Sequence, residues 1–243
     1  MPNGASKPTD KDLKLQLFVN SREANRVRLE YADGSTKDYN VPAGGTTTID
    51  VDPKKAYWDE EKGEEETVLD KGVRVYSLDK KPMTVYSGNQ NGDGGTSSFD
   101  GAHVLPKEAL GQEYVIQSAN DDNTATEFVV MSTRPGTTTV TVELNVKSRK
   151  GNRDRLTISF KKAKQIYIIR SKSIDPNQPN DVIDLSGSTI CADAPVAVWS
   201  GNQLAIIPNQ AGMTQDHAYD QLLPVNRWGQ EFIVPMTGMK MQM

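Results

Sequence analysis

Two stretches of this chain repeat each other closely enough to fix its architecture. The first runs Val85-Tyr86-Ser87-Gly88-Asn89-Gln90, resumes at Leu105-Pro106, and ends in Leu110-Gly111-Gln112-Glu113-Tyr114-Val115-Ile116. The second runs Val198-Trp199-Ser200-Gly201-Asn202-Gln203, resumes at Leu223-Pro224, and ends in Trp228-Gly229-Gln230-Glu231-Phe232-Ile233-Val234. Ser87 and Ser200 are 113 residues apart, and Leu105 and Leu223 are 118 apart, so the intervening loop is five residues longer in the second copy. Fainter echoes lie upstream: Pro82 answers to Pro195, and Thr48-Ile49-Asp50-Val51 to Gln165-Ile166-Tyr167-Ile168. A period above a hundred residues is domain-sized, not solenoid-sized. The reading is a lead-in over 1–12, a first β unit over 13–112 and a second over 113–243.

Each unit reads as short strands. Leu15–Val19 and Val27–Tyr31 alternate apolar with polar residues, the period of a half-buried antiparallel strand. Ala32-Asp33-Gly34-Ser35 supplies a hairpin turn, with Gly34 suited to positive φ. Val73–Tyr76 and Met83–Tyr86 read as a strand pair, and Thr137–Leu144 is rich in β-branched residues. Strands at roughly 8–12-residue spacing, with little 3.6-residue periodicity, predict all-β, sandwich-like units in tandem. One helical turn is expected after Pro106, over Lys107–Leu110.

Composition narrows the chemistry. A net charge of −4 with scattered basic residues excludes a nucleic-acid footprint. No window approaches the ~20 apolar residues of a membrane helix, so no membrane insertion is expected here. The polar start Met1–Lys7 does not resemble a signal peptide, which leaves a cytosolic chain or one whose leader has been removed. Cys191 is the sole cysteine and reads as a buried, inert thiol.

Candidate sites are sparse. His103 and His217 each stand near an aspartate, Asp100 and Asp216, but no nucleophile elbow, zinc motif or Cys–His pair accompanies them. A hydrolase using Asp216 and His217 is the least favoured reading, and no cofactor is expected. Asn89, Asn91, Asp93 and Asp100 partly imitate a calcium loop, although a glycine-rich β connection accounts for them better. Tyr57 and Trp58, beside the acidic run Asp59–Glu66, would serve as a glycan platform if exposed. Tyr86, Trp199 and Trp228 read as core or inter-unit anchors.

The chain resembles the N-terminal domain family of IgGFc-binding protein. The resemblance is carried by Pro195–Asn202, by Asp216-His217-Ala218-Tyr219-Asp220-Gln221-Leu222-Leu223-Pro224, by Trp228–Phe232 and, in the first copy, by Asp100–Pro106. Members occur in mucus-associated animal proteins and in bacterial secreted or surface proteins. The resemblance implies an extracellular or cell-surface, non-catalytic module for adhesion to a protein or glycoprotein; the alternative, a carbohydrate-binding module, rests on Tyr57 and Trp58 as its platform. Animal members carry cysteines flanking the second motif, where this chain has Leu204 and Gln215, so a disulfide there is absent.

Because the frame recurs while its loops diverge, recognition is expected in the loops, with Ile207, Asn209, Met213 and His217 part of a partner-facing surface. By analogy with the first copy, Gln230–Val234 should lead onward into further chain, with a frayed end from Gly238.

Overall fold

The computed structural model describes residues 8–92, 98–118, 124–151, 154–172, 183–205 and 216–233. The alternating stretches become strands wherever one face finds a second sheet to cover it. In chain order these are β1 (Lys14–Ser21), β2 (Asn25–Tyr31), β3 (Thr36–Val41), β4 (Gly45–Val51), β5 (Val73–Ser77), β6 (Thr84–Asn91) and β7 (Ser98–Val104). There follow β8 (Gly111–Val115), β9 (Thr126–Ser132), β10 (Thr138–Glu143), β11 (Arg155–Phe160), β12 (Ile166–Arg170), β13 (Thr189–Ala205) and β14 (Asp216–Gln221). The fold is all-β, and the pairings are antiparallel.

The first half is a sandwich. One sheet has the order β4-β1-β6-β7 and the other β3-β2-β5. Leu17, Val19, Ile49 and Val85 from the first meet Val27, Leu29, Tyr31 and Val41 from the second. Burial of such side chains stabilises by roughly 1.5–3 kcal/mol each before chain entropy is subtracted. Gly34 turns the β2–β3 hairpin at φ 85°, as its sequence context predicts.

The second half follows the same path. Its order β12-β9-β13, with β14 on the far side of β13, matches β4-β1-β6-β7, and β11-β10-β13 matches β3-β2-β5. Phe128, Val130, Ile169 and Val198 pack against Val140, Val142, Ile158 and Phe160. One strand differs. β13 runs for 17 residues and serves both sheets, with a register irregularity between Cys191 and Val196, whereas its first-half counterparts β5 and β6 are separate. Val73–Tyr76 and Met83–Tyr86 therefore do not pair, contrary to the sequence reading. Lys80 at φ 57° and Pro82 break the strand between them, and the chain crosses from one sheet to the other.

The repeated motifs occupy matching ladder positions. Tyr86 faces His103, Ser87 faces Ala102 and Gly88 faces Gly101 across β6–β7. Trp199 faces Gln221, Ser200 faces Asp220 and Gly201 faces Tyr219 across β13–β14. A single-turn 3₁₀ helix follows each hairpin, at Lys107–Ala109 and at Val225–Arg227. The register also corrects one alignment. Ile49 and Ile169, each opposite the second core residue of its neighbour strand, are the matching pair, three places on from the sequence match. His217 corresponds to Phe99, and His103 to Gln221, so the two histidines are not equivalents.

Candidate functional site

The outer face of the β4-β1-β6-β7 sheet carries the most distinctive exposed chemistry. Strand alternation sends Leu17, Val19 and Val85 inward and Phe18 and Tyr86 outward. Phe18, Tyr86 and His103 share one row across β1, β6 and β7, and the Tyr86 and His103 rings lie 5.0 Å apart. The next row is Gln16, Gly88 and Gly101, and Phe99 flanks it. A Cβ on Gly88 would come within 2.8 Å of the Phe18 ring and 3.2 Å of the Phe99 ring, so the two aromatics lean over the glycine. Tyr86 and Phe99 are 47% and 49% exposed, against the expectation that Tyr86 anchors a core. A polar rim surrounds them: Gln16 Nε2 donates to Asp50 Oδ1 at 2.8 Å, and Thr46 Oγ1 bonds Asn20 Oδ1. Such a face offers flat apolar contact with hydrogen-bonding groups at its border, suited to binding rather than bond making.

Tyr57 and Trp58 form no exposed platform. Both are 3% exposed, packed with Leu13, Val129, Ile166 and Ile168 on the outer face of β9 and β12. A four-residue helix, Pro53–Ala56, turns the chain away from the first sandwich so that the following segment can cross to the second. Leu69 then bridges Ile166 through paired backbone hydrogen bonds of 2.9 Å.

Charges are buried beneath that cover. The Arg170 guanidinium lies 5.2 Å from the Trp58 ring centroid, 3.5 Å from the Glu127 carboxylate and 3.4 Å from Glu60, and it bonds the Gln203 side chain. Glu60 also meets Arg149 at 2.5 Å. Burial pushes the Glu127 carboxyl up to about 8 against the pull of Arg170, and burial raises Glu65 as well. The acidic run is thus half structural: Glu65 is buried, while Glu61 is exposed.

The proposed loop surface is only partly described. Ile207, Asn209 and Met213 lie outside the described residues. His217 is buried with its ring 5.0 Å from Tyr219, and burial lowers its pKa to about 3, which keeps it neutral. Asp216 accepts from the backbone N–H of Phe99 at 3.0 Å and of His217 at 2.8 Å. His217 is therefore not partner-facing, and the Asp216 carboxylate is engaged by backbone rather than poised for acid–base work. The stems of the two divergent loops nonetheless lie together. His217 N donates to Ser98 Oγ at 3.2 Å and Tyr219 N to Asp100 Oδ2 at 2.6 Å, while Tyr219 Oη is 2.9 Å from Ser87 Oγ.

The calcium imitation is a hairpin. Asn89 and Asn91 belong to β6, Asp100 stands opposite Asn89 on β7, and Asp93 lies outside the described residues. Asp100 spends its oxygens on the N–H groups of Gly101 and Tyr219. Asn202, the second motif's asparagine, accepts from Thr124 Oγ1 at 2.7 Å and Leu204 N at 2.9 Å, the backbone-satisfying role its residue type predicts. Cys191 is exposed, not buried, because it alternates with the inward Ile190 and Ala192 on β13. Trp228 is exposed too, and Trp199 half-buried.

The fold is an all-β module with exposed aromatic side chains on the outer face of one sheet. Residues 100–242 match the family model described as IgGFc binding protein, more than half of the chain, and the chain belongs to that family. Human IgGFc-binding protein is 26% identical over 212 residues, 85% of this chain. The chain spans 3% of that relative's length. No solved structure matches. No helix among the described residues is long and apolar enough to cross a membrane.

Proposed function

We propose that this protein is a non-catalytic, extracellular or cell-surface module that binds a protein or glycoprotein partner through the Phe18–Tyr86–Phe99–His103 face. The carrying observation is the exposure of Tyr86 and Phe99 on a sheet whose matching face in the second half is covered. Clustered aromatics that a monomer leaves in water are the usual centre of a contact surface. Family membership supports a protein partner, and the human relative's name points to the Fc of IgG as one analyte to test. The whole is two tandem sandwich units, a reading supported by the repeated strand order and hairpin register.

A glycan partner is the second reading, favoured by the ring faces of Tyr86 and Phe99 beside the Gln16–Asp50 rim. The test is binding of the intact chain and of Tyr86→Ala/Phe99→Ala to IgG Fc, purified mucus glycoprotein, its deglycosylated form and a glycan array. Affinity for one of the protein analytes should fall at least ~10-fold in the double variant, the effect of a hot-spot truncation. Loss of binding on deglycosylation alone would move the assignment to the glycan. Equal affinity of wild type and double variant for a bound analyte would place the site elsewhere.

A further inference from the structure

The Asp52–Leu69 crossing leaves one sandwich to lie on the other, and contacts of three kinds hold it there. Tyr57 and Trp58 pack on Val129, Ile166 and Ile168. The backbone is tied to the edge of β12: Glu66 N donates to Ile168 O at 3.1 Å, and Leu69 and Ile166 exchange hydrogen bonds of 2.9 Å. The rest of the hold is ionic. Arg149 meets Glu60 at 2.5 Å, and Lys150 Nζ donates to Gly63 O at 3.3 Å and to Glu65 O.

One buried cation serves both sides of this contact. Arg170, at the end of β12, has its Nε 3.5 Å from Glu127 Oε2 on the neighbouring strand and its Nη1 3.4 Å from Glu60 Oε2 on the crossing. The Trp58 ring, also on the crossing, lies 5.2 Å from the same guanidinium. The two carboxyls are unequal competitors. Glu127 is wholly buried, and neither of its oxygens has a hydrogen-bond partner among the described residues. Glu60 keeps 39% of its side chain in solvent and has Arg149 besides. The charges facing Glu127 among the described residues are Arg170 from β12 and Glu60 and Glu65 from the crossing, which Arg149 and Lys150 of the β10–β11 turn engage in their turn.

This inequality decides where the guanidinium goes. An ionised Glu127 has no water to solvate it and claims the whole of Arg170, whereas Glu60 can return to solvent. A neutral Glu127 leaves Arg170 to Glu60 and Trp58. Burial raises the Glu127 carboxyl to about 8 and raises Glu65 in the same direction. Burial works against the charge of Glu60 too, but Arg149 and Arg170 together hold its carboxyl below the usual range. The covered state therefore keeps a proton on Glu127 that an uncovered carboxyl would release.

We propose that the Asp52–Leu69 crossing is a proton-latched strap, clamped over β9 and β12 while Glu127 is protonated and lifted when Glu127 ionises and draws Arg170 away from Glu60. Lifting frees Tyr57 and Trp58 and bares Val129 and Ile168, which hold the places of Phe18 and Thr48 on the open face of the first sandwich. Linkage sets the direction. The clamp is complete below the pKa of the uncovered carboxyl and is lost as pH rises through that of the covered one. Opening should therefore increase ~10-fold per pH unit between about 6 and 7.5 and level off above 8. The strap is a separate matter from the binding role of the Tyr86 face, and neither rests on the other.

The test is amide hydrogen exchange of the intact chain, followed residue by residue by NMR from pH 5.5 to 8.5 and corrected for the intrinsic pH dependence of exchange. The Glu66 and Leu69 amides bond the sheet directly, so they report lifting. They should exchange faster than amides of the β9–β13 ladder at every pH, and their opening should rise ~10-fold from pH 6 to 7. Glu127→Gln should flatten that rise above pH 6.5 and keep both amides protected at pH 8. Glu60→Gln, which leaves Glu127 in place, should speed their exchange at pH 6 and preserve the slope. Glu66 and Leu69 amides no faster than the ladder, or a slope that survives Glu127→Gln, would overturn the proposal. Should Glu127→Gln not fold, unchanged protection of Glu66 and Leu69 in Glu60→Gln would overturn it equally.

Discussion

The outer faces of β4-β1-β6 and β12-β9-β13 hold the same places in the same ladder, and one is wet while the other is dry. Phe18 and Thr48 on the first correspond to Val129 and Ile168 on the second; Gln16 and Asp50 correspond to Glu127 and Arg170. On the first face the exposed Gln16–Asp50 pair is a 2.8 Å hydrogen bond between a neutral amide and a carboxylate. On the second the same two positions carry a buried acid and a guanidinium roofed by Trp58. The duplicated frame sets where side chains stand, and the Asp52–Leu69 crossing decides which of them meet water. A covered face becomes structure, and an uncovered one remains available for contact.

The comparison breaks most visibly if the cover is removed. Trp58→Ala should destabilise the protein by ~3–5 kcal/mol, the usual result of deleting a fully buried aromatic, measured by urea unfolding. It also strips the ring from Arg170 and opens Glu127 to water. A loss under ~1 kcal/mol would mean the cover is loosely held and the two faces are less different than their burial implies.

Much of the frame was legible in the sequence, and the faces were not. The strands of β1, β2 and β10, the Gly34 turn and the Lys107 helical turn each follow from local alternation or turn chemistry. The Ser-Gly-Asn motifs announced matching hairpins because Gly88 and Gly201 both allow close approach: a Cβ at Gly201 would overlap the Ala218 carbonyl. What alternation cannot reveal is which side of a strand a distant segment will cover. Tyr57 and Trp58 beside a charged run looked exposed, and Tyr86 beside a motif looked buried, because the deciding partner of each is remote in sequence. The two histidines are not equivalents for a reason the sequence carries: the 118-residue offset of Leu105 and Leu223 sets His103 against Gln221, and the ladder gives the same pairing.

The buried acid gives the dry face a pH signature. Glu127 has a folded-state pKa raised from 4.5 to about 8. The folded state therefore holds a proton that the unfolded chain has released, and this contribution is complete below the unfolded pKa and lost as pH rises through the folded one. Stability should fall by on the order of 3–4 kcal/mol from pH 5 to 8. Glu127→Gln, which installs the residue found at position 16, should flatten that slope in thermal unfolding monitored across pH. A slope unchanged in the variant would assign the titration to another group.

On the wet face, Tyr86→Ala should shift stability by no more than ~1 kcal/mol, since half of the ring is already in solvent and the inward Val85 is untouched. A larger loss would show that the exposed aromatics hold the sheet together, and the binding assignment would lose its premise.

The smallest effect is expected at the border of that face, where the contrast with the buried pair is sharpest. Gln16→Ala removes an exposed side-chain hydrogen bond to Asp50, and water can take both partners. The change should lie within ~0.5 kcal/mol, as for surface substitutions away from caps, turns and packed sites. Its counterpart contact, Glu127 with Arg170, has no water to substitute, so loss of either partner leaves the other group desolvated. Measuring both variants in one background makes each the control for the other. If Gln16→Ala were as damaging as a change at Glu127, the outer face of the first sheet would have to be covered in solution, and the contrast between the two faces would be lost.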